Sequence, residues 1–186
     1  SAEMVKSQFD KVVLIQNTKN RGFAAANNQA MVVAKGRYIL LLNSDTIVLD
    51  HAIDKAVIFA DEHKDCAVTG CRVLNEDMSL QRTCFMFPSV LNLFLSASYL
   101  YKIFPQSTFF GREEMTYWKR DDIREVDVVT GCFMLIHRDA IEKVGALDEQ
   151  FFVYGEETDF CYRIKKAGYK IMFTPDAKII HLGGQS

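Results

Sequence analysis

Short, β-branched apolar runs alternate with breaker-free helical stretches through the first half of the sequence, and this alternation predicts an α/β fold with helices on both faces of a sheet. Composition agrees: of 186 residues, 49% are hydrophobic and 25% are charged, enough to bury a sizeable core and too ordered a balance for a disordered chain. The length suits a single domain, residues 1–186, better than two. A formal net charge of −2 excludes a nucleic-acid partner held by bulk electrostatics. No apolar run reaches transmembrane length. Cys66, Cys71, Cys84, Cys132 and Cys161 form no CxxC pair and sit among apolar neighbours, as buried reduced thiols do.

The run at 12–15 (VVLI) reads as a buried strand, followed by a polar loop that Gly22 closes. Residues 23–34 are Ala-rich and helical, and Gly36 lies near their C-cap. A second buried strand covers 38–42, a helix 50–63 and a third strand 67–74. This order implies parallel pairing, with 12–15, 38–42 and 67–73 as solvent-free neighbours. Asn75, Glu76 and Asp77 signal a turn before a strand within 80–87. Residues 90–104 carry apolar side chains at helical spacing and one charge, Lys102. Two readings of that segment stay open: a core helix over the sheet, or an exposed face touching a membrane, a lipid-linked acceptor or a second subunit. On the exposed reading, several of Leu91, Phe94, Leu95, Tyr99 and Phe104 face outward. Residues 106–122 read as a loop around Trp118. A bent strand with Gly131 spans 126–136, short and longer helices follow at 138–144 and 156–167, and strands 169–173 and 178–180 flank Pro175.

Four clusters could carry chemistry. Asn43-Ser44-Asp45 follows a buried strand, where ligands collect in open α/β sheets; Asp45 there either binds a hard cation or caps the next turn. Gly22 and Phe23, with Asn27 and Asn28 one turn on, stand at a strand-to-helix turn that either approaches a phosphate or only starts a helix. Glu156, Glu157 and Asp159 crowd a helix start, where the macrodipole alone favours acids and Asp159 pairs with Arg163 at i,i+4, or where one carboxylate serves as a general base. His181 ends an apolar run as a structural imidazole or a metal ligand.

The order and spacing of NRGFAAANN at 20–28, LLLNSDT at 40–46, GCFMLIHRDAIEKVGALDEQFFVYGEETDFCYR at 131–163 and HLGGQS at 181–186 resemble the family 2 glycosyltransferases, especially the rhamnosyltransferase-like and galactofuranosyltransferase-like members. The resemblance implies the GT-A fold, a Rossmann-like mixed sheet flanked by helices, binding a nucleoside-diphosphate sugar. It implies that Asp45 and His181 hold Mg²⁺ or Mn²⁺, with Asn43 standing where the family more often has an acid. Gly22, Phe23, Asn27, Asn43 and Asp45 become donor-binding residues. Glu157 becomes the base for inverting transfer to a hydroxyl, with Glu156 as the alternative, and Asp148 and Asp159 fall on the acceptor side. It further implies a saccharide or lipid-linked saccharide acceptor and work on cell-surface polysaccharide at the cytoplasmic face of a bacterial membrane, while a membrane-surface contact or homodimer is expected from the apolar segment 90–104. The family's D-N-x-S-x-D segment does not precede Lys11, so the sequence reads as starting at the family's third strand, without the first nucleotide-binding strands. A non-catalytic binding or interaction module therefore stands beside the enzyme reading, and an unrelated metal-dependent phosphotransferase is a weaker third.

Overall fold

The computed structural model describes residues 2–152 and 154–183. In chain order its elements are α1 (Ala2–Gln8), α2 (Gly22–Val33), β1 (Tyr38–Leu42), β2 (Thr46–Leu49), α3 (Ala52–Glu62), β3 (Cys66–Leu74), β4 (Leu80–Gln81) and β5 (Cys84–Phe85). There follow α4 (Val90–Ala97), α5 (Leu100–Ile103), β6 (Arg124–Glu125), β7 (Val128–Val129), β8 (Phe133–His137), α6 (Arg138–Val144), α7 (Glu156–Lys166) and β9 (Lys170–His181).

The main sheet has the order β1-β8-β3-β9-β2, with β4 added to β3 and β6 to β9; β5 and β7 form a separate pair. β3 is the centre. Its side chains are buried on both faces along nearly the whole strand, as a continuous apolar run requires. On one face α3 lays Ala52, Ala56 and Ala60 against Cys71, Val73, Ala177 and Ile179, small residues that let helix and sheet approach closely. On the other, Phe160, Cys161 and Ile164 of α7 meet Val128, Met134, Ile136, Ile171 and Phe173. Each fully buried side chain of this size contributes about 1.5–3 kcal/mol of hydrophobic stabilisation. All five cysteines are free and buried, and burial pushes the Cys84 and Cys161 thiols up to about 12.

The sheet is mixed, and the expectation of a mainly parallel sheet over 12–73 is corrected. Among the described residues only β3 and β9 run parallel; β1–β8, β3–β8 and β2–β9 are antiparallel. β8 inserts between β1 and β3, because Phe133, Met134, Leu135 and Ile136 are apolar on both faces and need neighbours on both edges. β1 thereby becomes an edge strand, with Leu42 exposed while Ile39 and Leu41 stay buried. The run at 12–15 is not a strand: Val12, Val13, Leu14 and Ile15 are 54%, 76%, 36% and 39% exposed. An apolar run acquires strand structure by pairing its N–H and C=O groups, and no strand of the described residues pairs with it.

Other differences are local. Residues 46–49, unassigned from sequence, form β2 against the end of β9. The two strands expected around Pro175 are one, β9, whose pairing with β3 slips between Cys71 and Arg72; proline, lacking an N–H, sits in that irregularity. The segment 106–122 is no mere surface loop. Trp118 is buried edge-on against Phe173, and Arg120 is buried, donating to the carbonyls of Cys84, Glu114, Met115 and Trp118. Within 90–104 the helix breaks at Tyr99, whose φ is 55°. Leu91, Phe94, Tyr99 and Phe104 are exposed and Leu95 is buried, so four of the five side chains face outward.

Candidate active site

The carboxyl ends of β1 and β9 and the amino end of β8 meet at one end of the sheet, since Leu42 pairs with Phe133 and Thr46 with His181. The amino termini of α2 and α7 point to the same end, and together they enclose a cleft of about 640 Å³. Gly22, Phe23, Asn43, Gln81, Thr83, Gly131, Glu156, Glu157 and His181 all line it. Residues far apart in sequence thus reach one cavity of ligand-binding size.

One wall is built from strand ends: Asn43 and His181 line it, and Asp45 does not line the cleft but lies against His181. Asp45 is buried, and neither carboxylate oxygen has a hydrogen-bond partner among the described residues. Its Oδ1 lies 3.4 Å from His181 Nε2. Asn43 donates its Nδ2–H to the same ring nitrogen at 3.2 Å, and the backbone closes the turn through Leu182 N–H to Asp45 O and Thr46 Oγ1–H to Asn43 O. Burying a carboxylate without a partner costs several kcal/mol, so the position suits a cation. Among the described residues no group of three His, Cys, Asp or Glu side chains could hold a metal ion. Asp45 and His181 supply one oxygen and one nitrogen, a set that fits Mg²⁺ or Mn²⁺ when ligand phosphates and water complete the shell.

The opposite wall is the start of α7, entered through two left-handed residues, Tyr154 at φ 66° and Gly155 at φ 104°. Glu156 and Glu157, adjacent in sequence, have different environments. Glu157 Oε1 accepts from Gly131 N–H at 3.1 Å and fronts the cleft. Glu156 is 2% exposed with Oε2 unpartnered, and desolvation raises its carboxyl above the usual range. Gly131 is required here: a Cβ would come within 2.5 Å of Phe23 Cζ and 3.1 Å of Glu157 Oε1.

The remaining donor-side residues divide. Gly22, at φ 80°, donates its N–H to Asn20 Oδ1, and its missing Cβ leaves room for Phe152 O. Asn27 is turned onto its own helix, bonding Phe23 O, and does not line the cleft. Its neighbour Asn28 clamps the N–H and C=O of Leu147, fixing the chain that leads to α7. On the expected acceptor side, Asp148 accepts from Gln150 N–H in a turn, and Asp159 holds Arg163, which donates to the carbonyls of Val144 and Ala146. Neither acid lines the cleft. Gln81 and Thr83 do line it and were not singled out in the sequence. Period-2 alternation within 80–87 would have put them on one face, though nothing in that pattern says which face meets the cleft. Gly184, Gln185 and Ser186 of the HLGGQS motif lie outside the described residues.

A mixed sheet with an acidic turn after an apolar strand and carboxylates at a facing helix start defines the class of GT-A-fold proteins. The sequence pattern described as glycosyltransferase like family 2 matches residues 2–186, and the chain belongs to that family. It is 25% identical over 162 residues to the O-antigen biosynthesis protein RfbC of Myxococcus xanthus, covering 86% of this chain and 12% of that protein. It is 27% identical over 167 residues to the rhamnosyltransferase WbbL of Escherichia coli, covering 86% of this chain and 60% of the relative. An N-acetylglucosaminyl-diphospho-decaprenol L-rhamnosyltransferase of Mycobacterium tuberculosis is 36% identical over 58 residues, 31% of this chain and 19% of its own. In each case the chain spans less than two thirds of the relative. Among solved structures, GalNAc-T7 crystallised with UDP, GalNAc and Mn²⁺ superposes with a TM-score of 0.65 at 15% identity, over 98% of this chain and 35% of that one, a likeness of fold.

Proposed function

We propose that this chain is the catalytic part of an inverting glycosyltransferase that moves a sugar from a nucleoside diphosphate to a hydroxyl of a saccharide or lipid-linked saccharide, in cell-surface polysaccharide assembly. The observation that carries this reading is the unpartnered, buried Asp45 carboxylate beside His181, the imidazole that lines the same cleft as Glu157. The relatives named for rhamnosyl transfer and O-antigen biosynthesis support the substrate class, and the decaprenol-linked substrate in one name supports a lipid-linked acceptor. Among the described residues no helix is long and apolar enough to cross a membrane. The exposed apolar side chains of α4 and α5 suit either contact with a membrane surface that carries a lipid-linked acceptor or a homodimer.

Asp45 and His181 would hold the divalent cation, which neutralises the diphosphate as it leaves. Glu157 would accept the acceptor hydroxyl's proton while that oxygen bonds to the anomeric carbon and the bond to the diphosphate breaks on the opposite side. Glu157 suits the task because Gly131 N–H fixes one carboxylate oxygen and leaves the other for the substrate. Gly22 and Phe23 would line the donor end.

The test is incubation with Mn²⁺, a panel of nucleoside-diphosphate sugars that includes a rhamnose donor, and a polyprenyl-diphospho-N-acetylglucosamine acceptor. Product anomers are read by NMR. A glycoside of inverted anomeric configuration supports the proposal, and a retained configuration removes Glu157 from the role of base. The second reading, a binding module without turnover, is favoured by the open edge of β1 and the exposed run 12–15, which leave apolar surface for another polypeptide. Donor binding with no product would select it.

A further inference from the structure

The turn between β3 and β4 ties a chain of hydrogen bonds to the imidazole that faces Asp45. The chain starts at Asp77, whose carboxyl is held below its usual range by the Ser79 hydroxyl and backbone N–H, so it only accepts. Ser79 Oγ gives its one proton to Asp77 Oδ1 at 2.5 Å and must therefore accept from Asn75 Nδ2, at 2.8 Å. This orients the Asn75 amide, and its Oδ1 accepts from Gln81 Nε2 at 2.9 Å. The Gln81 amide is oriented in turn, and its Oε1 lies 2.7 Å from His181 Nδ1. An amide oxygen has no proton to give, so Nδ1 carries the hydrogen. In a neutral ring Nε2 then presents a lone pair, to which Asn43 Nδ2 donates.

We propose that Gln81 is a positioning residue: through the Asp77–Ser79–Asn75 relay it holds neutral His181 in the Nδ1–H tautomer, so that Nε2, which accepts from Asn43 Nδ2–H, stays an acceptor beside the Asp45 carboxylate, and a divalent cation can take the place of the Asn43 donor. Two acceptors 3.4 Å apart repel unless a cation or proton lies between them, and the relay blocks the cheaper solution, a proton on Nε2. Register supports the arrangement. Gln81 is fixed opposite Val73 in the β3–β4 pair, and His181 opposite Thr46 in the β2–β9 pair, so two strands set both ends of the bond. Outer hydrogen bonds of this kind orient imidazole ligands and typically change metal affinity about 10- to 100-fold. The metal half of the proposal rests on the reading of Asp45 and His181 as its ligands; the tautomer does not.

The test uses ¹⁵N-labelled protein, metal-free and in chelator, at a pH where His181 is neutral. Long-range ¹H–¹⁵N correlation should show His181 protonated at Nδ1 and bare at Nε2. Gln81→Met, which has no acceptor for that hydrogen, should move the proton to Nε2 with the backbone amide spectrum otherwise retained. Gln81→Glu still accepts and should keep the Nδ1–H form. In Mn²⁺ titrations followed by electron paramagnetic resonance, Gln81→Met should bind about 10- to 100-fold more weakly, with Gln81→Glu closer to the parent. An Nε2–H tautomer in the parent protein, or an unchanged tautomer in Gln81→Met, overturns the proposal. A changed tautomer with unchanged Mn²⁺ affinity overturns its metal half. Lack of sugar transfer alongside the expected spectra would refute the proposed reaction and leave the relay standing.

Discussion

The two walls of the cleft are built on different terms. The Asp45–His181 wall stands on the ends of β1 and β9, and its buried carboxylate has no hydrogen-bond partner among the described residues. The Glu156–Glu157 wall stands on a helix start reached through left-handed residues, and its two carboxylates differ in direction and surroundings: Glu157 is held by Gly131 N–H in the cleft, and Glu156 is buried with Oε2 unpartnered. On the first wall an uncompensated charge marks the chemistry, and distant residues supply it. On the second, neighbours of identical chemistry are separated by orientation.

The sharpest way to break this comparison is to neutralise the two glutamates in turn. If Glu157 is the base, Glu157→Gln should lower kcat about 10²- to 10⁴-fold with donor affinity little changed. Glu156→Gln should cost less than about 10-fold, as expected of a carboxyl that acts on stability and not on the proton transfer. A larger kcat loss in Glu156→Gln would exchange the two roles. A smaller effect is expected at Gly131, where the Cβ of Gly131→Ala would push on Phe23 and Glu157. Since a 1 Å displacement can cost about 10²-fold, kcat should fall about 10- to 100-fold while the melting temperature changes little. Unchanged turnover would mean that Glu157 needs no fixed placement.

The strand-end wall is better tested through stability. In chelator, Asp45→Asn removes a buried unpaired charge and should stabilise the fold by about 1–2 kcal/mol, a rise of about 2–8 °C in Tm for a domain of this size. Adding Mn²⁺ should raise the Tm of the parent and not of the variant, because only a state that binds the ion gains from it. Equal Mn²⁺ responses would take Asp45 out of the cation site. The smallest effect belongs to Glu156. Its folded-state pKa lies above its unfolded value, so the folded state favours the protonated carboxyl; that stability is present below the unfolded value, about 4.3, and is lost as pH rises through the folded one. Glu156→Gln should therefore melt progressively higher relative to the parent as pH rises from the unfolded value through the folded one. A difference that stays constant across this range would show that the group is solvated, since equal folded and unfolded pKa values leave no pH dependence.

Local pattern alone gave β1 at 38–42, α6 at 138–144 and the bounds of α2, α3, β3 and α7 to within about two residues, because apolar period, glycine and breakers act within one element. The apolar runs 12–15 and 67–73 show where that information ends. Both are rich in β-branched residues, yet the second lies buried in β3 between β8 and β9 and the first is exposed and unpaired. Strand structure belongs to a pair of segments, and the pairing partner is not written in the run itself. The site divides the same way. Asp45, Glu157 and His181 were named from motifs, since each motif is a local string. The choice of Asn27 over Asn28, and the silence on Gln81, reflect what a string cannot hold: which way a helical amide turns, and which β-turn reaches the imidazole from 100 residues away. The sequence by itself set the elements and the chemical groups. Only the tertiary structure decided which edge β1 presents and which glutamate looks into the cleft, because both depend on contacts between segments distant along the chain.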